Sequence, residues 1–525
     1  MENEGTHEQG EAPQDQHIAV SVLENPEFYP KPPAEVTHKE THISHLFFAG
    51  DLVYKIKKPV RYSFLDYSSL DKRHRLLSEE LRLNRRLAPS VYLGITPITK
   101  DSDAHWRLGG DGEVVEYALV MRRLPERRML PFLLKTHQVT PAMMKELADT
   151  VAKFHRGAER MDFDPRHYVE AVEKEWNDNL LDLEPFVNRA IDAESLGVFK
   201  DFGTRFIHRH ADLLASRPPQ GWIRDVHGDL HCEHVCFAPE GIQIFDCIEF
   251  SPRLRCCDLA SEIAFLVMDL EVRDNGSLVK PFLSRYSDLQ KDPYLPVLLP
   301  FYKCYRALVR GKVHALRSPP DDDAAKRYFR FAHSFTWESF QPFLIVVFGL
   351  AGSGKSTLAQ ELGERLGMTV INSDAVRKAL TGKSGRQYVP FNTGIYSQKM
   401  TDKTYQELAR RAEEQIIYRR GAILDATFGA KTQRQRILHL GQCYHVPVFF
   451  LHCAAPEQTT KARLAQRATE NRDISDGRWE IYLEQARAFQ PVDESSSGNH
   501  LELNTEIPVD QLAHACEKFL HSRLD

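Results

Sequence analysis

The chain has 525 residues, of which 42% are hydrophobic and 27% are charged, a composition typical of globular proteins and a length too great for one hydrophobic core. The net charge of −5 argues against a protein that binds duplex nucleic acid through counterion release. The nine cysteines follow no disulfide-like spacing, no apolar run reaches the length of a membrane span and the first residues lack a signal-peptide pattern, so we expect a cytoplasmic protein.

The N-terminal region predicts a disordered tail followed by a β-hairpin. Residues 1–18 are polar and acidic, and such a segment buries too little apolar surface to fold. Two β runs then meet at a glycine turn within residues 42–58, and the second run carries Lys55 between Tyr54 and Ile56. Lys55 can hold nucleotide phosphates there, or it can be one of the lysines that protect the edge of a sheet.

A helix is predicted after the hairpin, because residues 70–87 have apolar side chains at helical spacing. It contains Glu79 and Glu80, and kinase folds require an acid on such a helix to pair with the strand lysine. Either glutamate can pair with Lys55, and a solvated acidic face is the alternative. Strand patterns follow over residues 91–125 and helical patterns after them, which predicts a small β-rich lobe and then a helical one.

A second group of polar residues lies in a β-like patch within the helical region. The segment His227-Gly228-Asp229-Leu230-His231 is followed by an apolar strand that ends in Asp246. Phosphoryl transfer to a hydroxyl needs one Asp that orients and deprotonates the acceptor and a second Asp that holds Mg²⁺. Two turn aspartates without a catalytic role are the alternative.

Together these motifs resemble the aminoglycoside phosphotransferase and choline kinase branch of the protein-kinase-like fold, over residues 36–342. The resemblance implies that Lys55 binds the nucleotide phosphates and that a helix acid, which we place at Glu80, pairs with it. It also implies that Asp229 is the catalytic base and that Asp246 is a metal ligand.

The chain departs from that family at His234. Members usually carry asparagine at this position to hold a second metal ion, and an imidazole favours softer ions than Mg²⁺. His234 is therefore a candidate metal ligand, and whether the chain has a second metal site is left undecided. The run from His231 to Cys236 also offers a zinc alternative, but its spacing to Cys256 and Cys257 is irregular and buried core thiols are expected instead.

The strongest motif follows an apolar run at residues 343–348, which predicts a strand buried on both faces. The run leads into Gly349-x-x-x-x-Gly354-Lys355-Ser356-Thr357, and a helix is predicted over residues 356–366. Glycines let main-chain N–H groups approach phosphate oxygens, the lysine reaches the terminal phosphates and the serine hydroxyl binds Mg²⁺. The candidate nucleotide-binding residues are Gly349, Gly352, Ser353, Gly354, Lys355, Ser356 and Thr357, with Ser356 also a metal ligand.

Two later strands of this region end near acidic residues. The strand at residues 369–372 is followed by Asp374 and Arg377, at the edge where α/β sheets place their substrates. Asp374 can take a proton from an acceptor hydroxyl there while Arg377 holds the acceptor's charged group; alternatively, Ser373 or Asp374 only caps the next helix. A further strand ends in Asp425, which fits a Mg²⁺ ligand of the Walker B type.

A substrate loop and a lid are expected beyond these strands. Residues 388–396 contain proline, glycine and asparagine and predict the loop, and Arg463, Arg467 and Arg472 lie on a helix and the segment after it. Arginines there suit a lid that stabilises the charge of the phosphoryl group in flight, with Arg467 as the candidate catalytic residue. Ordinary arginines on a surface helix are the alternative.

Residues 343–491 resemble the small P-loop kinases of the zeta-toxin, polynucleotide-kinase and gluconate-kinase kind. The resemblance implies that Lys355 and Ser356 serve ATP and Mg²⁺, with Asp374 as the base. It places Arg377 on the acceptor and Arg467 in the lid. The order of the two halves resembles that of the bacterial bifunctional aminoglycoside phosphotransferase/ATP-binding proteins.

We therefore expect an α/β and α+β multidomain protein, with a bilobal protein-kinase-like domain at residues 19–340 and a P-loop domain with a doubly wound parallel sheet at residues 341–525. Each domain is expected to bind ATP with Mg²⁺ and to transfer the γ-phosphoryl group to a hydroxyl of an unidentified small molecule. One alternative is a regulatory nucleotide- or metabolite-binding module coupled to a P-loop ATPase. Another alternative is a nucleic-acid 5′-hydroxyl kinase, but the negative net charge of the chain argues against it. No membrane partner is expected.

Overall fold

The computed structural model describes residues 14–41, 43–62, 65–103, 105–317, 319–382, 394–470, 478–492 and 498–524, without the side chains of residues 14–17, 62, 395 and 467–470. The chain forms two compact units, Met1–Tyr328 and Phe329–Asp525. We call them the first unit and the P-loop unit. The division falls before the boundary expected between residues 340 and 341.

The described strands of the first unit are β1 (Val36–Glu40), β2 (Ser44–Ala49), β3 (Leu52–Lys57), β4 (Arg61–Tyr62), β5 (Leu65–Asp66), β6 (Tyr92–Lys100), β7 (Trp106–Leu108), β8 (Glu113–Arg122), β9 (Ile223–Asp225), β10 (Val235–Ala238), β11 (Gly241–Ile244) and β12 (Cys256–Asp258). Its described helices are α1 (Gln14–Leu23), α2 (Leu70–Asn84), α3 (Leu130–Lys135), α4 (Pro141–Gly157), α5 (Pro165–Leu181), α6 (Ala193–Arg209), α7 (Ala211–Ser216), α8 (Pro252–Arg255), α9 (Leu259–Val272), α10 (Val279–Gln290) and α11 (Leu295–Ala315). The helix α12 (Asp322–Glu338) spans the division between the units.

The smaller lobe of the first unit is an antiparallel sheet with the order β1-β2-β3-β8-β6-β7. Side chains alternate along β3 as the sequence predicts: Tyr54 and Ile56 join one apolar cluster, and Val53 joins another, with Leu77 of α2. Lys55 therefore lies on the α2 side of a central strand and not on an edge, so the edge-lysine alternative is wrong.

The helix α1 corrects one expectation about the N-terminus. It begins at Gln14, inside the segment 1–18 that we expected to be disordered, while residues 1–13 lie outside the described part. Ala19 and Leu23 of α1 are fully buried, and Leu23 packs with Phe47 of β2. Two apolar residues four positions apart thus fix a helix whose beginning is otherwise polar.

The larger lobe is mainly helical, with α9 at its centre. The helix α9 is buried along almost its whole length and packs against α11. The short hairpin β10–β11 and the pair β9–β12 lie in this lobe and frame the loop that carries Asp229. Ahead of α9, the Arg217 guanidinium contacts Asp258 and Asp292, both at 2.7 Å, in a fully buried ion cluster.

The P-loop unit is a five-stranded parallel sheet with helices on both faces, as expected. Its described strands are β13 (Leu344–Phe348), β14 (Thr369–Asn372), β15 (Ala422–Ala426), β16 (Val448–Ala454) and β17 (His500–Asn504), in the order β14-β15-β13-β16-β17. Its described helices after α12 are α13 (Lys355–Leu366), α14 (Ser373–Thr381), α15 (Gln398–Ile417), α16 (Lys431–Tyr444), α17 (Glu457–Glu470), α18 (Trp479–Ala488) and α19 (Val509–Leu524). One apolar cluster joins the sheet to α13 and α19, and another joins it to α15 and α16.

The central strand β13 is completely buried, which explains its unbroken run of apolar residues. Its carboxyl end leads into the phosphate-loop motif. Among the described residues, no helix combines the length and the apolarity that crossing a membrane needs.

Candidate functional sites

The lysine of β3 is held by two carboxylates in the first unit. The Lys55 Nζ atom lies 2.7 Å from Glu80 Oε1 and 3.3 Å from Asp246 Oδ1. Burial by itself lowers the pKa of Lys55, but the charges of Asp246 and Glu80 outweigh burial and raise it well above its ordinary value. Of the two helix acids, Glu80 is the partner, because Glu79 pairs with Arg82 at 2.6 Å and lies 3.7 Å from Arg255.

A second lysine extends this buried ion cluster. The Lys57 Nζ atom lies 2.6 Å from Glu80 Oε2 and 2.5 Å from Glu249 Oε1, and the Tyr67 hydroxyl donates to the same Glu249 oxygen at 2.7 Å. Glu80 thus bridges two ammonium groups and is itself fully buried. Each of its two oxygens has a cationic partner, so its position is fixed from both sides.

The loop that carries Asp229 is held from beneath by the larger lobe. The main-chain N–H groups of His227 and Gly228 donate to the two carboxylate oxygens of Glu262 at 2.9 and 3.0 Å. Arg306 of α11 donates to the Gly228 carbonyl at 3.2 Å. Burial raises the pKa of Glu262 to about 7, although the charge of Arg306 and the two N–H donors favour the carboxylate.

Asp229, Asp246 and the imidazole of His234 form one group. His234 Nδ1 lies 2.9 Å from the Asp229 main-chain oxygen and 3.6 Å from its carboxylate, and His234 Nε2 lies 3.7 Å from Asp246 Oδ2. His231 contacts the Asp229 carboxylate from another side at 3.5 Å. The imidazole of His234 therefore lies between the two carboxylates, at the position where the resemblance led us to expect asparagine.

Asp246 is positioned by main-chain geometry as well as by charge. Its φ of +65° lies in the left-handed region, which costs energy for a non-glycine residue and is typical of functional sites. Its N–H group donates to the Tyr92 hydroxyl at 3.2 Å. The charge of Lys55 holds the pKa of Asp246 well below its usual range, so the carboxylate is ionised at neutral pH.

Lys55, Asp229 and Asp246 line one cavity of about 660 Å³. Its remaining lining is largely apolar and includes Leu46 and Met121. A volume of this size and lining suits a nucleotide or a similar small molecule. An oxygen ligand such as the Asp246 carboxylate suits Mg²⁺, whereas the imidazole of His234 does not.

The cysteines of the run from His231 to Cys236 take no part in a metal-ligand group among the described residues. The metal-ligand group found there contains Asp229, His231 and His234. Cys232 and Cys236 are buried thiols outside that group, as expected for core packing.

The phosphate-loop motif of the P-loop unit forms a tight turn at the end of β13. Gly349, Gly352 and Gly354 have φ values of +145°, +78° and +83°, which strain any residue with a side chain. A Cβ atom on Gly349 would collide with the main-chain oxygen of Cys453. The helix α13 then begins at Lys355, so the expected order of strand, loop and helix is present.

Lys355, Ser356 and Asp425 lie close together behind this loop. Burial raises the pKa of Asp425, and the charge of Lys355 and the side chains of Asn372 and Ser356 oppose that rise. Asn372 Nδ2 donates to Asp425 Oδ2 at 2.7 Å. Asp425 Oδ1 is buried, and no hydrogen bond to it is found among the described residues. Together with the Ser356 hydroxyl, this oxygen fits a Mg²⁺ ion or a water molecule bound to it.

Asp374 and Arg377 contact each other on α14. Their side chains form an ion pair of 2.7 Å, and the guanidinium group lies 4.6 Å from the centre of the Tyr396 ring. The helix is capped by Asn372, whose side-chain oxygen accepts the N–H group of Asp374 at 2.9 Å. The alternative in which Ser373 or Asp374 provides the cap is therefore wrong.

The predicted lid is described only in part. The side chain of Arg467, all of Arg472 and residues 383–393, which include most of the predicted substrate loop, lie outside the described part. Arg463 donates to the hydroxyl of Thr505 at 3.0 Å, and that hydroxyl donates to the Ser353 main-chain oxygen at 2.8 Å. Arg463 is thus linked to the phosphate loop through Thr505.

Comparison with known proteins agrees with this division into two sites. Residues 49–296 match the family model of the phosphotransferase enzyme family, and residues 344–492 match that of an AAA domain. Uncharacterized proteins of Mycobacterium tuberculosis and Mycobacterium bovis are 30% identical over 448 residues, covering 83% of this chain and 87% of theirs. The chain belongs to the family of these proteins. A phosphotransferase-family domain followed by a P-loop kinase-like domain is what the sequence predicted.

Other similarities cover smaller parts of the chain. A cytidylate kinase of Methanobrevibacter smithii is 33% identical over 78 residues, which is 14% of this chain and 45% of that protein. The structure of a sugar kinase from Janibacter sp. matches 35% of this chain and 96% of its own length, with 18% identity and a TM-score of 0.28. An APS kinase of Mycobacterium tuberculosis matches 34% and 98%, with 18% identity and a TM-score of 0.25. At such scores these structural matches add nothing to the assignment.

Several residues around the two sites were missed by sequence reasoning. Alternation along β3 places Lys57 on the same face as Lys55, and this signal could have revealed its role. The other missed residues are Glu249, Glu262, Arg306 and Asn372, which no local pattern connects with the motifs that they support.

Proposed function

We propose that each unit binds ATP with Mg²⁺ and transfers the γ-phosphoryl group to a hydroxyl of a small-molecule acceptor. The observation that carries this proposal is the convergence of Lys55, Asp229 and Asp246 on one cavity. Family membership supports the reaction class, and the acceptor of each unit is left open.

In the first unit, Glu80 holds the Lys55 ammonium group towards the cavity, where it neutralises phosphate charge. Asp246 would hold Mg²⁺, which supplies further charge neutralisation when it is bound. Asp229 orients the acceptor hydroxyl and takes its proton, and His234 fixes the loop through the Asp229 main-chain oxygen. Since the transition state is loose, positioning and charge neutralisation account for the catalysis.

In the P-loop unit, the glycine-rich turn and Lys355 bind the phosphates. Ser356 and Asp425 would hold Mg²⁺, which again lowers the phosphate charge. Asp374 accepts the proton of the acceptor, and its ion pair with Arg377 orients both side chains towards that role. Arg467 is proposed to stabilise the transferring group from the lid.

The test uses the full-length protein, γ-labelled ATP and a pool of hydroxyl metabolites. Lys55→Ala and Lys355→Ala are each expected to remove one set of labelled products, and the double variant is expected to remove both. Lys72→Ala and Lys403→Ala are the matched controls, because both lysines lie outside the two sites, and they are expected to keep all products. Turnover that survives in the double variant would refute the proposal.

One observation favours a second candidate function for the first unit, which is nucleotide binding without turnover. The imidazole of His234 occupies the space between Asp229 and Asp246 where an oxygen ligand would hold a second metal ion. His234→Asn restores such an oxygen. If the unit is a binding module, this variant gains acceptor-dependent turnover that the wild type lacks; if the wild type is already a phosphotransferase, it is active without the change.

A further inference from the structure

A group of metal-ligating side chains lies on the β1–β2 hairpin, outside both sites described above. His38 and Glu40 lie on the same face of β1, because they are two residues apart on a strand. His45 of β2 is the direct cross-strand partner of Glu40. The register of the hairpin therefore brings two imidazoles and one carboxylate together on a single face.

The distances between their ligand atoms match the coordination shell of a small transition-metal ion. His38 Nε2 lies 3.0 Å from His45 Nδ1 and 4.0 Å from Glu40 Oε1, and His45 Nδ1 lies 3.6 Å from Glu40 Oε1. A triangle with these sides contains a point roughly 2.1 Å from all three atoms, which is the usual length of zinc–nitrogen and zinc–oxygen bonds. No ligand atom has to move far to bind an ion at that point.

Two further charged residues hold these ligands in place. The Nδ1–H group of His38 donates to Glu24 Oε1 at 2.9 Å, so His38 Nε2 accepts the hydrogen bond from His45 Nδ1–H at 3.0 Å. A metal ion would replace the proton of that bond, with His45 then carrying its proton on Nε2. Lys58 donates to Glu40 Oε2 at 2.8 Å, which leaves Oε1 available. A carboxylate behind a ligating histidine is a common outer partner in zinc sites, where it fixes the tautomer and raises the basicity of the ligand.

We propose that His38, Glu40 and His45 bind Zn²⁺ or a similar divalent transition-metal ion, with the fourth position open to solvent. Both histidines are mostly buried, whereas Glu40 is exposed and provides the route of entry. Two histidines and one glutamate are a ligand set that zinc proteins use when one position is left for water.

The ion would connect parts of the smaller lobe that the sheet alone does not join. Glu24 directly follows α1, so the ion's outer partner extends the site from the hairpin to the end of that helix. Ser44, next to His45, lines the cavity that also contains Lys55. Metal binding is therefore expected to stabilise the lobe that holds the candidate nucleotide cavity.

The test is calorimetric titration of metal-free full-length protein with Zn²⁺, together with its apparent melting temperature with and without the ion. The wild type is expected to bind Zn²⁺ tightly at this site and to melt at a higher temperature when it is loaded. His38→Gln and His45→Gln are each expected to remove one equivalent of tight binding. Glu24→Gln, which changes only an outer partner, is expected to weaken binding by about 10- to 100-fold.

The controls address the other candidate ligand groups, Asp229–His231–His234 in the cavity and the exposed Asp101–Asp103–His105. His105→Gln is expected to keep the tight equivalent, and any binding in the cavity is expected to persist in His38→Gln. Melting without metal shows whether a variant is folded. The proposal is overturned if folded His38→Gln and His45→Gln proteins bind Zn²⁺ with the stoichiometry of the wild type, or if the wild type binds no Zn²⁺ tightly.

Discussion

Replacement of Glu80 by glutamine tests the ion cluster on which the first site depends. Glu80 is fully buried and lies within 2.7 Å of two ammonium groups, those of Lys55 and Lys57. Burial raises its pKa, but the two lysines outweigh burial and hold the pKa of Glu80 below its ordinary value. Glutamine has the same shape without the charge, so Glu80→Gln opens no cavity but weakens one contact and replaces the acceptor of the other with an NH₂ group that cannot accept.

The expected loss of folding stability depends on the ion pairs that Lys55 and Lys57 retain in Glu80→Gln. Breaking a buried pair costs about 3–5 kcal/mol when a charge is left without compensation. Lys55 keeps Asp246 and Lys57 keeps Glu249, so the lower end, about 3 kcal/mol, is expected. With an unfolding entropy of about 2.1 cal/mol/K per residue, this corresponds to a fall of about 4 °C in the melting temperature of the first unit, Met1–Tyr328. The contribution is present above the ordinary pKa of a glutamate and is lost as the pH falls through the lowered pKa of the folded state.

Nucleotide binding is expected to weaken as well, because Lys55 without Glu80 is drawn towards its remaining partner Asp246. The assay is thermal unfolding of the full chain together with titration of a fluorescent ATP analogue into the Lys355→Ala background, which isolates the first site. Glu79→Gln is the matched control, since this neighbour pairs with the exposed Arg82, where such pairs contribute about 1 kcal/mol at most. Its contact with Arg255 is longer, at 3.7 Å, so a smaller loss than for Glu80→Gln is expected. Equal shifts for the two glutamate variants, or unchanged nucleotide affinity in Glu80→Gln, would refute the reasoning.

Three further predictions concern single residues of the two sites. Gly349→Ala is expected to abolish nucleotide binding to the P-loop unit in an equilibrium titration, because the new Cβ atom would collide with the Cys453 main-chain oxygen. Gly382→Ala is the control and is expected to retain binding, because Gly382 also has a positive φ but has open space around its Cβ position. Asp425→Asn is expected to raise the melting temperature of the metal-free protein at pH 7, because the pKa of Asp425 is raised and its charged form therefore destabilises the folded state above the ordinary pKa of an aspartate. The same variant is expected to weaken Mg²⁺-dependent nucleotide binding. A lower melting temperature would contradict this prediction. Glu262→Gln leaves one loop N–H group without an acceptor and is expected to cost about 1–3 kcal/mol in denaturant unfolding, a cost that an unchanged midpoint would exclude.

Much of the fold could be predicted because its signals are local. The alternation along β3 placed Lys55 opposite Tyr54 and Ile56, and the run before Gly349 identified a central strand. The choice between Glu79 and Glu80 could not be made, because adjacent residues on a helix both lie near the boundary of its buried face. Only packing of the helix against the sheet decides which carboxylate turns inward.

Other features depended on contacts that no spacing rule indicates. Asn372 caps α14 through its oxygen and contacts Asp425 through its nitrogen, and a sequence pattern cannot assign both roles to one amide. Residues 14–18 of α1 were predicted as part of a tail because they are mostly polar, and the buried residues that hold the helix, Ala19 and Leu23, lie beyond them. Glu262 reaches the loop of Asp229 only because α9 crosses beneath it.

Both candidate sites place a lysine where it can neutralise phosphate charge, but they differ in how far apart in the sequence their residues lie. This difference affects how easily each site is lost when the protein is destabilised. In the P-loop unit the turn, Lys355 and Ser356 are adjacent in sequence, so the phosphate-binding part of the site forms once β13 meets α13, and Asp425 joins it from β15. In the first unit the contact between Lys55 and Asp246 joins residues 191 positions apart, and its geometry exists only when both lobes are folded. Substitutions that destabilise either lobe, of which Glu80→Gln is the sharpest case, are therefore expected to reduce nucleotide binding in the first unit at conditions where binding in the P-loop unit is still intact.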